Sequence, residues 1–198
     1  MSKEYWTNDK MRNLVAGGLG RPHPEGFDPV EFVEAFQLKG LVLDFGCGDG
    51  RLCGAFHPSR YCGVDLNPFA VEKAKTGNPG YNFHEIDSLG DTPETRYDSC
   101  LAYTVFLHMD FDDVFEIIRL LHERGVKQIL VAEILGREWR RPGNPPAFNR
   151  DLEDYINLFR PHGYFLVGAK SKIYERYREH APDKNVRIFG LLFEDLNQ

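Results

Sequence analysis

The sequence predicts an α/β fold: a mostly parallel sheet with helices on both faces, closed by an antiparallel strand pair. Three observations predict it. Short apolar runs alternate with amphipathic segments from position 41 to about 160. The first run, Leu41 to Phe45, breaks straight into glycines at 46, 48 and 50, as a buried strand feeding a ligand-binding loop does. The last two strand-like runs, Tyr164 to Tyr174 and Val186 to Asp195, are joined only by Glu175 to Asn185. That connector is too short and too charged for a buried crossover helix, so the two runs pair antiparallel.

Punctuation fixes the helices in order. Asp28-Pro29-Val30-Glu31 offers an N-cap acid, proline at the first helical position and an acid three residues after the cap, ahead of Phe32, Val33 and Phe36. Asn67-Pro68 repeats the device before Val71 to Lys75. Asp110 precedes Val114, Ile117, Ile118 and Leu121 at helical spacing, and Gly125 stops that helix. Val126 to Leu135 reads as the fifth strand, and Asn149 to Phe159 as a capped helix broken by Pro161 and Gly163.

With 198 residues, 42% hydrophobic and 27% charged, the chain suits one domain with a real core. A net charge of −6 argues against a broad electrostatic grip on nucleic acid, which needs a basic surface to displace counterions. No run of apolar residues is long enough to span a membrane. The start, Met1 to Thr7, lacks the apolar core of a signal peptide. A cytoplasmic location is expected. Cys47, Cys53, Cys62 and Cys100 have no C-x-x-C spacing and read as buried thiols, not as a metal or redox site.

The glycine loop narrows the ligand. A dinucleotide fingerprint would need a third small residue at position 51, where Arg51 stands, and no Gly-Lys-Ser/Thr ending exists for a P-loop. Roughly twenty residues on, Tyr61 to Asp65 reads as a second strand ending in a carboxylate, which can accept both hydroxyls of a ribose. A nucleoside-bearing cofactor other than NAD is expected.

Asp44-Phe45-Gly46-Cys47-Gly48-Asp49-Gly50, followed by Gly63-Val64-Asp65-Leu66-Asn67-Pro68, resembles the first two cofactor motifs of class I S-adenosylmethionine-dependent methyltransferases. Ile86-Asp87-Ser88 falls where that family closes its third strand, and Tyr97 to His108 resembles its fourth strand and the turn after it. The resemblance covers residues 40 to 195. It implies a Rossmann-like, seven-stranded sheet in a domain of residues 28–198, with residues 1–27 as an N-terminal extension.

The cofactor that the resemblance implies is S-adenosyl-L-methionine. Asp44, Gly46, Cys47 and Gly48 would form the loop against its methionine part, and Asp65 would hold the ribose. Leu66 would cover the adenine, Asp87 beside Ser88 would accept from the adenine amine, and Tyr103 would offer its carbonyl to the amino group. Two residues map near the methyl end as candidate bases, His108 and Glu133. A histidine has an ordinary pKa of about 6.5, so it can be neutral and basic at physiological pH.

Methyl transfer from a sulfonium needs alignment first and, for a hydroxyl or protonated amine, removal of a proton. The expected function is transfer to an oxygen or nitrogen of a small-molecule acceptor. The tetrapeptide Asn/Asp-Pro-Pro-Tyr, the usual signature of methylation on bases or glutamine, is missing after strand four, where Tyr103-Thr104-Val105-Phe106 stands. Asn144-Pro145-Pro146-Ala147 follows strand five and lacks the aromatic. Two alternatives are a nucleic-acid or protein methyltransferase docking through Arg137 to Arg141, and a non-catalytic cofactor-binding subunit. Those arginines can grip a substrate carboxylate or phosphate, or form a solvated face. The N-terminal segment, with Tyr5, Trp6, His23 and the loop Gly17 to Pro24, reads either as a lid over the acceptor or as a staple to the domain.

Overall fold

The computed structural model describes residues 6–7, 27–93, 96–136, 147–173 and 187–197. The predicted loops 17–24 and 137–146 and the connector 175–185 lie outside these residues, as do Tyr5 and His23. Among the described residues seven strands form one sheet: β1 (Val42–Phe45), β2 (Tyr61–Asp65), β3 (Asn82–Glu85), β4 (Ser99–Tyr103), β5 (Gln128–Ile134), β6 (Tyr164–Ile173) and β7 (Arg187–Asp195). Their order is β3-β2-β1-β4-β5-β7-β6. The first five run parallel, and β7 lies antiparallel between β5 and β6. The predicted antiparallel pair is therefore present, and its second member also joins the parallel set.

The helices form where the capping residues direct. In α1 (Pro29–Glu34), the Asp28 side chain accepts from Val30 N at 2.7 Å. Asn67 caps α2 (Pro68–Gly77) and Asp110 caps α3 (Phe111–Glu123) in the same way. Each cap satisfies N–H groups that the first turn leaves without partners. α4 (Leu152–Phe159) starts later than predicted. Asp151, not Asn149, caps it, because Asp151 and Asp154 exchange reciprocal side-chain to backbone bonds at 3.1 and 2.9 Å. The third strand also stops early, at Glu85, and Ser88 opens a short 3-10 turn over Leu89–Asp91.

Strand periodicity splits the core into two layers. Leu43, Cys100, Ala102, Ile129 and Val131 face one side with α3 and α4, through Val114, Ile118, Leu121, Leu158 and Phe159. Their neighbours Val42, Leu101, Tyr103, Leu130 and Ala132 face the other side with α1, through Phe32, Val33 and Phe36. On that second side Tyr61, which pairs with Val42, packs with Phe83 against Val71 and Ala74 of α2. A sheet buried on both faces needs near-continuous apolar strands, and β4 and β5 are buried at every position. The loops after β1, β2, β3 and β4 therefore open along one edge, the carboxyl rim of the parallel strands, where open α/β sheets take their ligands.

Candidate active site

At the end of β1 the chain folds back onto β2. Gly46 N and Cys47 N both donate to Val64 O, at 2.8 and 3.0 Å. Gly46 has φ +76, and a Cβ there would stand 2.5 Å from Cγ2 of Val105. Only glycine permits both the left-handed backbone and this approach. Gly48, φ +57, is held from the next strand: its N donates to Asp65 Oδ2 at 2.8 Å, while Asn67 N donates to Oδ1 at 2.8 Å. Asp65 thus ties the glycine loop to the start of α2, and each oxygen keeps a lone pair for a ligand hydroxyl. Burial pushes its carboxyl above the ordinary range, and the backbone N–H groups of Asn67, Gly48 and Leu66 draw it back down.

Beneath the loop, Asp44 is buried and accepts from the Tyr61 hydroxyl at 2.7 Å. Loss of water raises its pKa to about 7, against the lowering effect of Tyr61 and Arg51. Cys47 is buried at the bend, and all four cysteines are free and buried. Arg51 spans the site: its Nη2 donates to Thr104 Oγ1 at 3.3 Å, and its guanidinium carbon lies 5.0 Å from the centroid of the Tyr103 ring. Thr104 has φ +55, a left-handed conformation that a β-branched residue seldom takes. The sequence marked Arg51 only as a departure from the dinucleotide pattern, and nothing in it marked Thr104.

The remaining predicted residues sit on the same rim. Ile86 N donates to Asp65 O at 3.0 Å, which sets Leu66 beside the segment carrying Asp87 and Ser88. Leu66 is half-buried against the core, whereas Asp87 and Ser88 are exposed, with their backbone N–H groups donating to Asp91 Oδ2 at 3.2 and 2.8 Å. Past β4, the 3-10 turn Phe106–His108 presents a half-buried His108, whose ring meets Trp6 edge-on with centroids 5.1 Å apart. Glu133, in β5, is 0% exposed and accepts from Leu107 N at 3.3 Å. Burial pushes its carboxyl up to about 8, opposed by backbone N–H groups of the turn and by the Arg150 guanidinium.

Residues 43–126 match the family described as a methyltransferase domain. This stretch is a methyltransferase domain. It contains every predicted cofactor residue from Asp44 to Tyr103 together with His108, while Glu133 and Arg150 lie past its end. A Methanocaldococcus jannaschii protein that bears the name of a protein N5-glutamine methyltransferase is 25% identical over 189 residues, covering 76% of this chain and 87% of that protein. The magnesium protoporphyrin IX methyltransferase of Synechocystis, solved with S-adenosylhomocysteine, superposes with a TM-score of 0.70 at 15% identity, covering 97% of each chain. Mitomycin 7-O-methyltransferase superposes with a TM-score of 0.64 at 20% identity, covering 98% of this chain and 60% of that one. The methyltransferase domain and the strands after it thus share the Rossmann-like fold of S-adenosylmethionine-dependent methyltransferases.

Proposed function

We propose that the chain is an S-adenosylmethionine-dependent methyltransferase that transfers a methyl group to an oxygen or nitrogen of a small-molecule acceptor. One observation carries the cofactor half: Asp65, at the end of β2, holds the glycine loop through Gly48 N and the start of α2 through Asn67 N. When bound, S-adenosylmethionine supplies an already activated methyl on a positively charged sulfur. The chain's own residues then have to bind and align. In this reading Asp65 accepts from the ribose hydroxyls, and the bend at Gly46 to Gly48, with Asp44 and Cys47 under it, lies against the methionine part. Leu66 covers the adenine, exposed Asp87 and Ser88 meet its polar edge, and Tyr103 receives the amino end.

Proton removal is assigned to His108. It is half-buried and stands on the turn beside the glycine loop, whereas Glu133 has no exposed surface and spends its Oε1 on the backbone of that same turn. Residues 28–198 form the catalytic domain in this proposal, and residues 1–27 an extension over the acceptor, supported by the Trp6 contact with His108. Four free buried thiols are in keeping with a reaction in the reducing cytoplasm.

A second reading, methylation of a protein side chain, is favoured by the likeness to the Methanocaldococcus jannaschii protein. The absence of an Asn/Asp-Pro-Pro-Tyr tetrapeptide after β4 weighs against it. The test is release of S-adenosylhomocysteine by purified protein offered metabolite fractions, glutamine-containing peptides and RNA in parallel. Product with a metabolite fraction alone is expected. Product with peptide alone would replace the first reading by the second, and tight cofactor binding without product in any arm would favour a non-catalytic subunit.

A further inference from the structure

The turn that carries His108 is gripped from two directions by buried ionisable side chains. From β5, Glu133 Oε1 accepts from Leu107 N at 3.3 Å. From the segment before α4, Arg150 donates through Nη1 to Phe106 O at 2.7 Å and through Nη2 to Met109 O at 2.6 Å. Phe148 N donates to Leu107 O at 2.7 Å, and the turn's internal bonds run from His108 N to Val105 O and from Met109 N to Phe106 O, both 3.0 Å. A carboxyl oxygen therefore takes the turn's N–H side while a guanidinium takes its carbonyl side.

Arg150 is 6% exposed and also hydrogen-bonds the buried Tyr155 hydroxyl. Burying a guanidinium costs several kcal/mol unless its donors are met, and an apolar side chain of similar volume is often at least as stabilising. What an apolar residue cannot supply is a planar fork that fixes two carbonyls at once. The fork also joins two parts of the site. Gly136 N donates to Arg150 O at 2.9 Å, so the end of β5 and the approach to α4 meet at this residue. On its other side the turn abuts the glycine loop, through Val105 against Gly46 and Thr104 against Arg51.

We infer that Arg150, acting with Glu133, is a positioning residue that sets where His108 stands relative to the glycine loop. The inference rests on the methyltransferase reading for its purpose and on the hydrogen bonds above for its geometry. Removing the fork takes the Arg150 donor from Met109 O and leaves Phe106 O only the turn's own Met109 N, so the turn shifts or opens and carries His108 with it. A lysine at 150 retains the charge but reaches one carbonyl in place of two.

Nuclear magnetic resonance of histidine-labelled protein, with the His108 signal identified by its loss in His108→Gln, tests this alongside titration with S-adenosylhomocysteine. For Arg150→Met we expect a displaced or broadened His108 signal, with cofactor affinity within about twofold of the parent. We expect Arg150→Lys to restore the signal in part. A folded Arg150→Met whose His108 signal superposes on the parent's overturns the inference, as does loss of cofactor binding in step with a displaced signal. If Arg150→Met does not fold, Glu133→Met serves in its place, because it keeps the length of the side chain but removes the oxygen that accepts from Leu107 N; an unmoved His108 signal there is equally fatal. Failure of the unmutated protein to bind S-adenosylhomocysteine would sink the methyltransferase reading, while the His108 signal still judges the grip.

Discussion

Asp65 does two jobs with one carboxylate. It is the acceptor for Gly48 N and Asn67 N, and in the proposed reading it is also the acid that meets the ribose. Replacing it with alanine should weaken S-adenosylhomocysteine binding by about 1.5 to 3 kcal/mol, the scale of hydrogen bonds to a charged group. Calorimetry on the folded mutant checks this, and unchanged affinity would contradict the assignment. Gly46 tests the loop from the other side. Alanine there meets a left-handed backbone that costs about 1 to 2 kcal/mol and a Cβ position 2.5 Å from Val105 Cγ2. Gly46→Ala should therefore lower the urea midpoint and weaken cofactor binding together. A mutant that lost binding at full stability would show the loop to be free of the turn.

Among elements, β5 and the turn after β4 are coupled through a buried acid whose protonation the fold favours. The Glu133 carboxyl, ordinarily near 4.5, rises to about 8 because burial removes its water. The folded chain then keeps a proton that the unfolded chain has lost across that window. Stability from this group is full below about 4.5 and drains as pH climbs through about 8, by at most about 1.4 kcal/mol per pH unit. Asp44, raised from 3.8 to about 7, adds a drift of the same sign. Glu133→Gln removes its share, so the mutant should gain on the parent between pH of about 5.5 and about 8. Urea unfolding at the two pH values measures the gap, and a gap independent of pH would refute the burial argument.

Across the whole molecule, a charge of −6 gives no long-range attraction for a polyanion. Product formation with the preferred acceptor should therefore change little between about 50 and about 200 mM salt, the range over which phosphate-gripping proteins lose orders of magnitude in affinity. A steep fall would point to a nucleic-acid substrate. Among the described residues no helix is long and apolar enough to cross a membrane.

Much of this molecule was readable before any coordinates. The caps at Asp28, Asn67 and Asp110, the buried strands, the glycine loop and Asp65 are local signals, written within a few residues of where they act. The exact start of α4 was harder, because Asn149 and Asp151 are both good caps and the choice fell to the reciprocal bond with Asp154. The placement of β7 between β5 and β6, the bond from Arg51 to Thr104, and the grip of Glu133 and Arg150 on the His108 turn were not readable at all. The side-chain contacts join residues 53, 26 and 44 positions apart. Such partners meet only after the sheet has closed, and no periodicity or spacing in the chain records which distant backbone group a buried charge will find.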